Sequence, residues 1–336
     1  MKEVISQEVI ENFLNGGDPE EFIVGVEYDY PTNTIYKIIQ DPEKGKIIKS
    51  DSFTPFMWVG DLTDLNFYNN SKAMQKRRMG EFGIIIEKLE THGDERLESG
   101  MKFLVKSIKS YTDLISFFRM GGLNPWDEKV RHNFTVLSPV EQYLVQTKKR
   151  LFKGIDEYSG VNRFVFDIET TGLDPETCII ILIGVKDNRG LNETISAFGE
   201  DGEKKCIERF FKYISDLKPT IVAGYNSAFF DWPFILKRAQ ILGVDVNALT
   251  QILTGTGMKE KKGVLKLANE IEDYTQHVIW GFNIIDIAHS VRRAQAINSE
   301  IKSWGLKYIT KYLEKEKENR VYVEGNQISK IYLDNE

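Results

Sequence analysis

Two cysteines in 336 residues, Cys178 and Cys206, cannot build a disulfide framework, and they point to a reducing, cytoplasmic setting. Histidine is nearly as scarce. The four that occur are scattered and accompany no paired-cysteine motif, which removes the usual pattern of a zinc site. No apolar run approaches the roughly 20 residues needed to span a bilayer. The first fifteen residues, Met1 to Asn15, are acidic rather than the basic start of a signal region. Positive charge is also in deficit, with 44 Lys and Arg against 50 Asp and Glu and a net charge of −6. Proteins held to nucleic acid mainly by counterion release are basic, at least locally. Any handling of nucleic acid here is therefore local, or a partner supplies the positive surface. Basic clusters at Lys72–Arg78, Lys148–Lys153 and Lys259–Lys266 read as solvated faces or loops.

What is present is an ordinary globular composition, 41% hydrophobic and 28% charged, in a chain long enough for two cores. Residues 22–59 read as β-structure: Phe22–Tyr28 and Thr34–Ile39 flank a Pro-Thr-Asn turn, and Ile47-Ile48 and Pro55–Val59 follow. Helices are expected around Asn70–Leu89 and Ser110–Met120. Phe53, Phe56 and Trp58 fit either a base-stacking platform or the core of a small β domain, and core packing is the reading adopted. Pro139–Tyr158 reads as a charged helical connector. Beyond it the pattern turns to α/β. Strands are expected at Phe164–Phe166, Ile179–Val185, Thr194–Phe198, Thr220–Gly224 and Val278–Asp286. Helices are expected at Glu203–Leu217, Trp232–Leu242, Ile287–Ala296 and Trp304–Leu313, and Val321–Asn335 is short and polar.

Phe164–Phe166 is an apolar run that delivers Asp167 and Glu169, two residues apart and hence on one side of a strand. Two acids at the end of a hydrophobic strand repel unless a cation neutralises them, and hard oxygen ligands suit Mg²⁺ or Mn²⁺. The plainer account, a pair of solvated acids closing a strand, remains open on these residues alone. A second acidic stretch runs from Gly224 through Tyr225 and Asn226 to Phe230, Asp231 and Pro233. Asp231 could simply cap the helix that follows. It could equally face Asp167 and Glu169 across the crevice where strand ends of an open sheet meet.

The Phe-Asp-Ile-Glu-Thr of 166–170 and the Gly-Tyr-Asn…Phe-Asp-Trp-Pro of 224–233 together resemble the first two exonuclease motifs of family B DNA polymerases, particularly viral and phage members. The 22–59 region, the connector and the 281–309 stretch are similar to the same family in the same order. The resemblance implies a β-rich α+β N-terminal domain at 1–136, a connector at 137–160 and a ribonuclease-H-like 3′–5′ exonuclease domain with a mixed central sheet at 161–336. It implies metal-binding catalytic carboxylates at Asp167, Glu169 and Asp231, two Mg²⁺ or Mn²⁺ ions, and a groove lined by Thr170, Tyr225, Asn226 and Phe230. The implied partners are the single-stranded 3′ end of primer DNA and its template, in the cytoplasm of a bacterial or virus-infected cell.

The family's third motif, Tyr-x-x-x-Asp, is not found: none of the fourteen tyrosines has Asp four residues later. Asp286 matches the strand before that motif rather than the motif itself. The expectation is therefore an exonuclease part split or truncated before the third motif, weak alone and completed by a C-terminal polymerase chain. The alternatives are a stand-alone ribonuclease of the same fold and a non-catalytic DNA-binding or assembly subunit.

Overall fold

The computed structural model describes residues 16–66, 72–89, 100–268 and 270–316, together with positions 327, 330, 331 and 334. The chain divides into two units, Met1–Gly154 and Ile155–Glu336, and the division falls within the stretch read as a connector.

In the first unit, β1 (Ile23–Asp29), β2 (Thr34–Asp41) and β3 (Gly45–Asp51) form an antiparallel sheet in sequence order. Asn33 makes the first turn possible: it adopts φ +51° and its Oδ1 accepts from the Tyr28 hydroxyl at 2.7 Å. A second sheet has the order β5-β6-β4-β7, from β4 (Phe56–Val59), β5 (Ile84–Lys88), β6 (Phe103–Ser107) and β7 (Phe134–Thr135). Helices α1 (Lys72–Phe82), α2 (Tyr111–Met120) and α3 (Pro139–Thr147) complete the unit.

The helix expected over Asn70–Leu89 is corrected within the described residues. Helix α1 stops at Phe82, Gly83 turns at φ +62°, and the β-branched run from Ile84 pairs with β6 instead. The connector helix also stops early. A capping box between Ser138 and Glu141 starts α3, and Lys148 at φ +56° ends it. Phe53 and Phe56 are buried, as core packing requires. Lys149, read as part of a solvated cluster, is 9% exposed instead. Its Nζ meets Asp18 and Glu20 at 2.8 Å each, while Lys37 meets Glu20 at 2.6 Å.

The second unit is built on a five-stranded sheet of order β10-β9-β8-β11-β14. Its strands are β8 (Arg163–Thr170), β9 (Ile180–Asp187), β10 (Asn192–Ser196), β11 (Ile221–Gly224) and β14 (Asn283–Asp286). The central β8 runs parallel to β11, and β11 parallel to β14, whereas β9 and β10 complete the sheet in antiparallel fashion. The mixed sheet is as expected. Alternation along β8 buries Phe164, Phe166 and Ile168 and leaves Asp167 and Glu169 to the other face.

Helix α4 (Gly202–Leu217) lays Ile207, Phe210, Phe211 and Ile214 into the core, and α5 (Asp231–Ile241) adds Trp232 and Ile235. Phe166 and Trp232 meet at 5.0 Å between ring centroids in an edge-on contact. Helix α5 is also pinned through Arg238. Its Nε and Nη2 bind the two Glu203 oxygens at 2.8 and 2.7 Å, and Glu203 accepts from Ile180 N as well.

After α6 (Val246–Thr250) comes an antiparallel hairpin, β12 (Lys259–Lys266) with β13 (Ile271–Val278). Of the two readings of Lys259–Lys266, the solvated face holds and the loop does not, since it is a paired strand with Lys261, Lys262 and Lys266 exposed. One expectation is corrected there: Val278–Asp286 is no single strand, because a turn with Phe282 N on Ile279 O separates β13 from β14. Helices α7 (Ile287–Ile297) and α8 (Leu306–Tyr312) follow. Most of Val321–Asn335 lies outside the described residues, as do Met1–Asn15 and Glu336. No helix among the described residues is long and apolar enough to cross a membrane.

Candidate active site

Strand β8 ends in a bulge between Glu169 and Thr170, where the register with β9 shifts. Bulges re-aim side chains and are common beside active sites. Just before it, Asp167 lies opposite Gly184 and Glu169 opposite Leu182. Asp167 is exposed and Glu169 half-buried.

The second strand, β11, leads into a tight turn at Tyr225–Ala228. Gly224 is required at its start, because a Cβ there would stand 2.5 Å from the Ser227 Cβ. Asn226 takes φ +61°, a conformation that asparagine tolerates better than most residues. The turn is held from outside by Asp286, at the end of β14. Its Oδ1 accepts from Asn226 N at 2.9 Å and from Ala288 N at 2.9 Å, and its Oδ2 from Ala228 N at 3.0 Å. Three backbone N–H groups thus occupy the Asp286 carboxylate, which makes it a clamp for the turn and the cap of α7.

Asp231 is not a cap. The N-cap of α5 is Phe230, and Asp231 is the first helical residue, 3% exposed. Its Oδ1 accepts from Ile168 N at 3.2 Å. Ile168 is the residue between Asp167 and Glu169, so Asp231 reaches the backbone between them, and Asp167 acts on each of the other two acids. Their charges interact. Burial, then the Asp167 charge, pushes the Asp231 carboxyl up to about 7 despite the Ile168 hydrogen bond. Burial and Asp167 also raise Glu169, while Lys307 on α8 pulls it down.

The expected groove residues are partly committed. The Thr170 hydroxyl donates to Gly172 O at 2.7 Å, the Tyr225 hydroxyl donates to the Trp304 carbonyl, and Phe230 packs on Phe234 at 5.6 Å. Sequence reasoning missed Lys307, although the Ser303-Trp304-Gly305-Leu306-Lys307 stretch is plain to read, because nothing local places that cation beside Glu169. The roles of Asp286 and of the Trp304 carbonyl were hidden for the same reason.

Among the described residues, no group of three or more His, Cys, Asp or Glu side chains stands in an arrangement that could hold a metal ion. The chemistry of the neighbouring donors nevertheless suits one. Asp167, Glu169 and Asp231 are hard oxygen donors, and Glu169 and Asp231 are raised first by burial and then by the Asp167 charge, with Lys307 opposing the shift of Glu169 alone.

The mixed sheet thus carries an acidic pair at the end of its central strand, with a buried Asp at the start of the helix after the neighbouring strand bonded between them. Residues 146–309 match the model of the DNA polymerase family B exonuclease domain. Over that stretch the chain is similar to the exonuclease domain of family B DNA polymerases.

It is similar to the catalytic chain of DNA polymerase epsilon from Aspergillus fumigatus, 53% identical over 49 residues, 15% of this chain and 2% of that protein. It is similar also to the DNA polymerase 2 of Aeropyrum pernix, 35% identical over 94 residues, 26% of this chain and 12% of that one. The solved family B DNA polymerase of Pyrobaculum calidifontis superposes with a TM-score of 0.64 at 16% identity, over 93% of this chain and 42% of that chain. The shared fold is therefore mixed α/β with a ribonuclease-H-like exonuclease domain. The chain spans a small part of the curated relatives it matches.

Proposed function

We propose that this chain removes nucleotides from the 3′ end of single-stranded primer DNA by metal-dependent hydrolysis, as the proofreading part of a replicative polymerase in the cytoplasm. The observation that carries the reading is the bond from Ile168 N to the Asp231 carboxylate, which ties the helix acid to the backbone between the two strand acids.

Asp167, Glu169 and Asp231 would hold two divalent ions, Mg²⁺ or Mn²⁺, which when bound supply charge neutralisation and polarise the scissile phosphate. The chain's own residues position and shield. Trp232 anchors Asp231 by filling the core behind it, and Asp286 fixes the Asn226 turn. Tyr225, held by its bond to the Trp304 carbonyl, lines the groove for the terminal nucleotides with Asn226, Thr170 and Phe230. The polymerase part that this domain serves, and the template, are the remaining partners. A non-catalytic assembly role gains no support from the buried placement of Asp231 among other acids.

The test is manganese titration with degradation of a labelled single strand, with and without the polymerase part. Asp167→Ala is expected to lower hydrolysis by at least about 100-fold, since even outer partners of metal sites cost about 10- to 100-fold. Its fold should persist, because Asp167 is exposed. Undiminished hydrolysis by the variant would overturn the assignment.

A further inference from the structure

Beside the 225–228 turn lies a cavity of about 190 Å³, lined by residues of that turn and of α5, β13, β14 and α7. Four buried polar atoms of its lining residues have no hydrogen-bond partner: Ser227 Oγ, Trp232 Nε1, His277 Nδ1 and His289 Nε2. The Asp286 carboxylate stands 3.8 Å from His289 Nε2, beyond hydrogen-bond reach. The four residues are 1, 1, 4 and 8% exposed. Native interiors leave few polar groups unpaired, and each one costs free energy unless something in the space meets it. Four around one cavity call for an occupant.

The character of that occupant follows from the walls. The Trp232 N–H only donates, the serine hydroxyl does both, and each imidazole nitrogen can donate or accept. The rings of Tyr274 and His289 meet edge-on at 4.6 Å, and those of Trp232 and His277 lie 6.3 Å apart. Aromatic faces with mixed donors and acceptors suit a flat heterocycle with hydrogen-bonding edges. Size narrows the choice. A cavity of about 150 Å³ takes up benzene, and drug-sized ligands need about 300 Å³ or more, so one nucleobase fits and a whole nucleotide does not. Arg293, exposed to solvent, also lines the space and offers a planar cation to a phosphate left outside.

We propose that this cavity binds the base of a nucleoside monophosphate, whose phosphate rests on Arg293. The choice of a monophosphate rests on the exonuclease reading, because 3′–5′ hydrolysis releases that product. The site is separate from the three carboxylates. It shares with them the turn that Asp286 clamps, since Asp286, Ser227 and Ala228 all belong to its lining.

The experiment is calorimetric titration of the full chain with dAMP, dGMP, dCMP and dTMP, in EDTA so that no divalent ion contributes. Binding of at least one is expected in the wild type and in Asp167→Ala alike. Arg293→Ala should weaken it about tenfold, the loss of one charge-assisted contact to phosphate. Ser290→Trp, which plugs the mouth, should abolish it. If that variant fails to fold by circular dichroism, the exposed Arg293→Ala carries the test. Two results overturn the proposal: no binding of any of the four, which leaves ordered water as the occupant, or binding lost in Asp167→Ala and kept in Arg293→Ala. Because the readout is binding without metal, a wild type that hydrolyses no DNA refutes the exonuclease reading while leaving this result to be judged alone.

Discussion

Each unit of this chain gathers partly buried acids, and the two gatherings are opposites. In the first, Lys37 and Lys149 stand among Asp18, Glu20 and Asp51 at 2.6 to 3.6 Å. The Lys149 hydrogen bond lowers Asp18 below the usual carboxylate range, and hydrogen bonds from both lysines bring Glu20 down against the burial that would raise it. In the second, burial first and the Asp167 charge second push Asp231 and Glu169 up. A neutralised cluster is finished as structure. Acids raised by burial and by one another are a pattern that functional sites commonly carry.

The contrast can be broken from either side. The largest effect is expected from Lys149→Met, which strips the cation from Asp18 and Glu20. The loss should be about 2–4 kcal/mol by urea denaturation, below the roughly 3–5 kcal/mol of a fully buried pair because the acids are partly exposed. Its pH signature is defined: Asp18 and Glu20 are lowered on folding, so their contribution is present above their unfolded values and disappears as pH falls. In the variant that acid sensitivity should flatten.

Asp231→Asn should do the reverse. A carboxyl raised to about 7 on folding favours the native state at low pH, and stability drains as pH climbs from the unfolded value near 3.8 to about 7. The amide keeps an acceptor for Ile168 N without the charge. The variant should therefore be more stable than wild type at pH 8 by about 1–3 kcal/mol, and the gap should close below about pH 4. Added Mn²⁺ should narrow the gap at pH 8 by stabilising the wild type alone. A wild type that outlasts the variant at pH 8 without metal would show that the acids are already neutralised.

The smallest effect is expected from Tyr225→Phe. One hydroxyl bond to the Trp304 carbonyl is worth about 0.5–1.5 kcal/mol, so thermal melting should shift only slightly while the affinity for single-stranded DNA falls.

How far the sequence could be read depended on the range of the forces involved. The aromatic alternation around Asp167 fixed strand, face and core partners at once, and α4 followed from its apolar spacing. The β12–β13 hairpin was illegible because β12 buries only Gly263 and Leu265 amid lysines, which mimics a solvated loop. Gly83 likewise looked like a residue inside a long helix until the isoleucines after it found β6 as a partner. At the site, the acids were legible one by one. The partner of each was not: that Asp286 would spend itself on Asn226 and Ala228, or that Asp231 would reach Ile168, depends on which strands lie side by side.

That adjacency sets an order of events during folding. The pairing of β8 with β11 joins Arg163 to Ile221, and β11 then pairs with β14 at Asn283, so both ladders close long loops. The β12–β13 hairpin and the helices close short ones and form early. Asp231 consequently reaches Ile168 only once the long loop between β8 and the helix after β11 has closed, together with the core that those strands share. Divalent ions present during refolding should then leave the early phases untouched and act on the native side of the barrier, as a slower rate of unfolding.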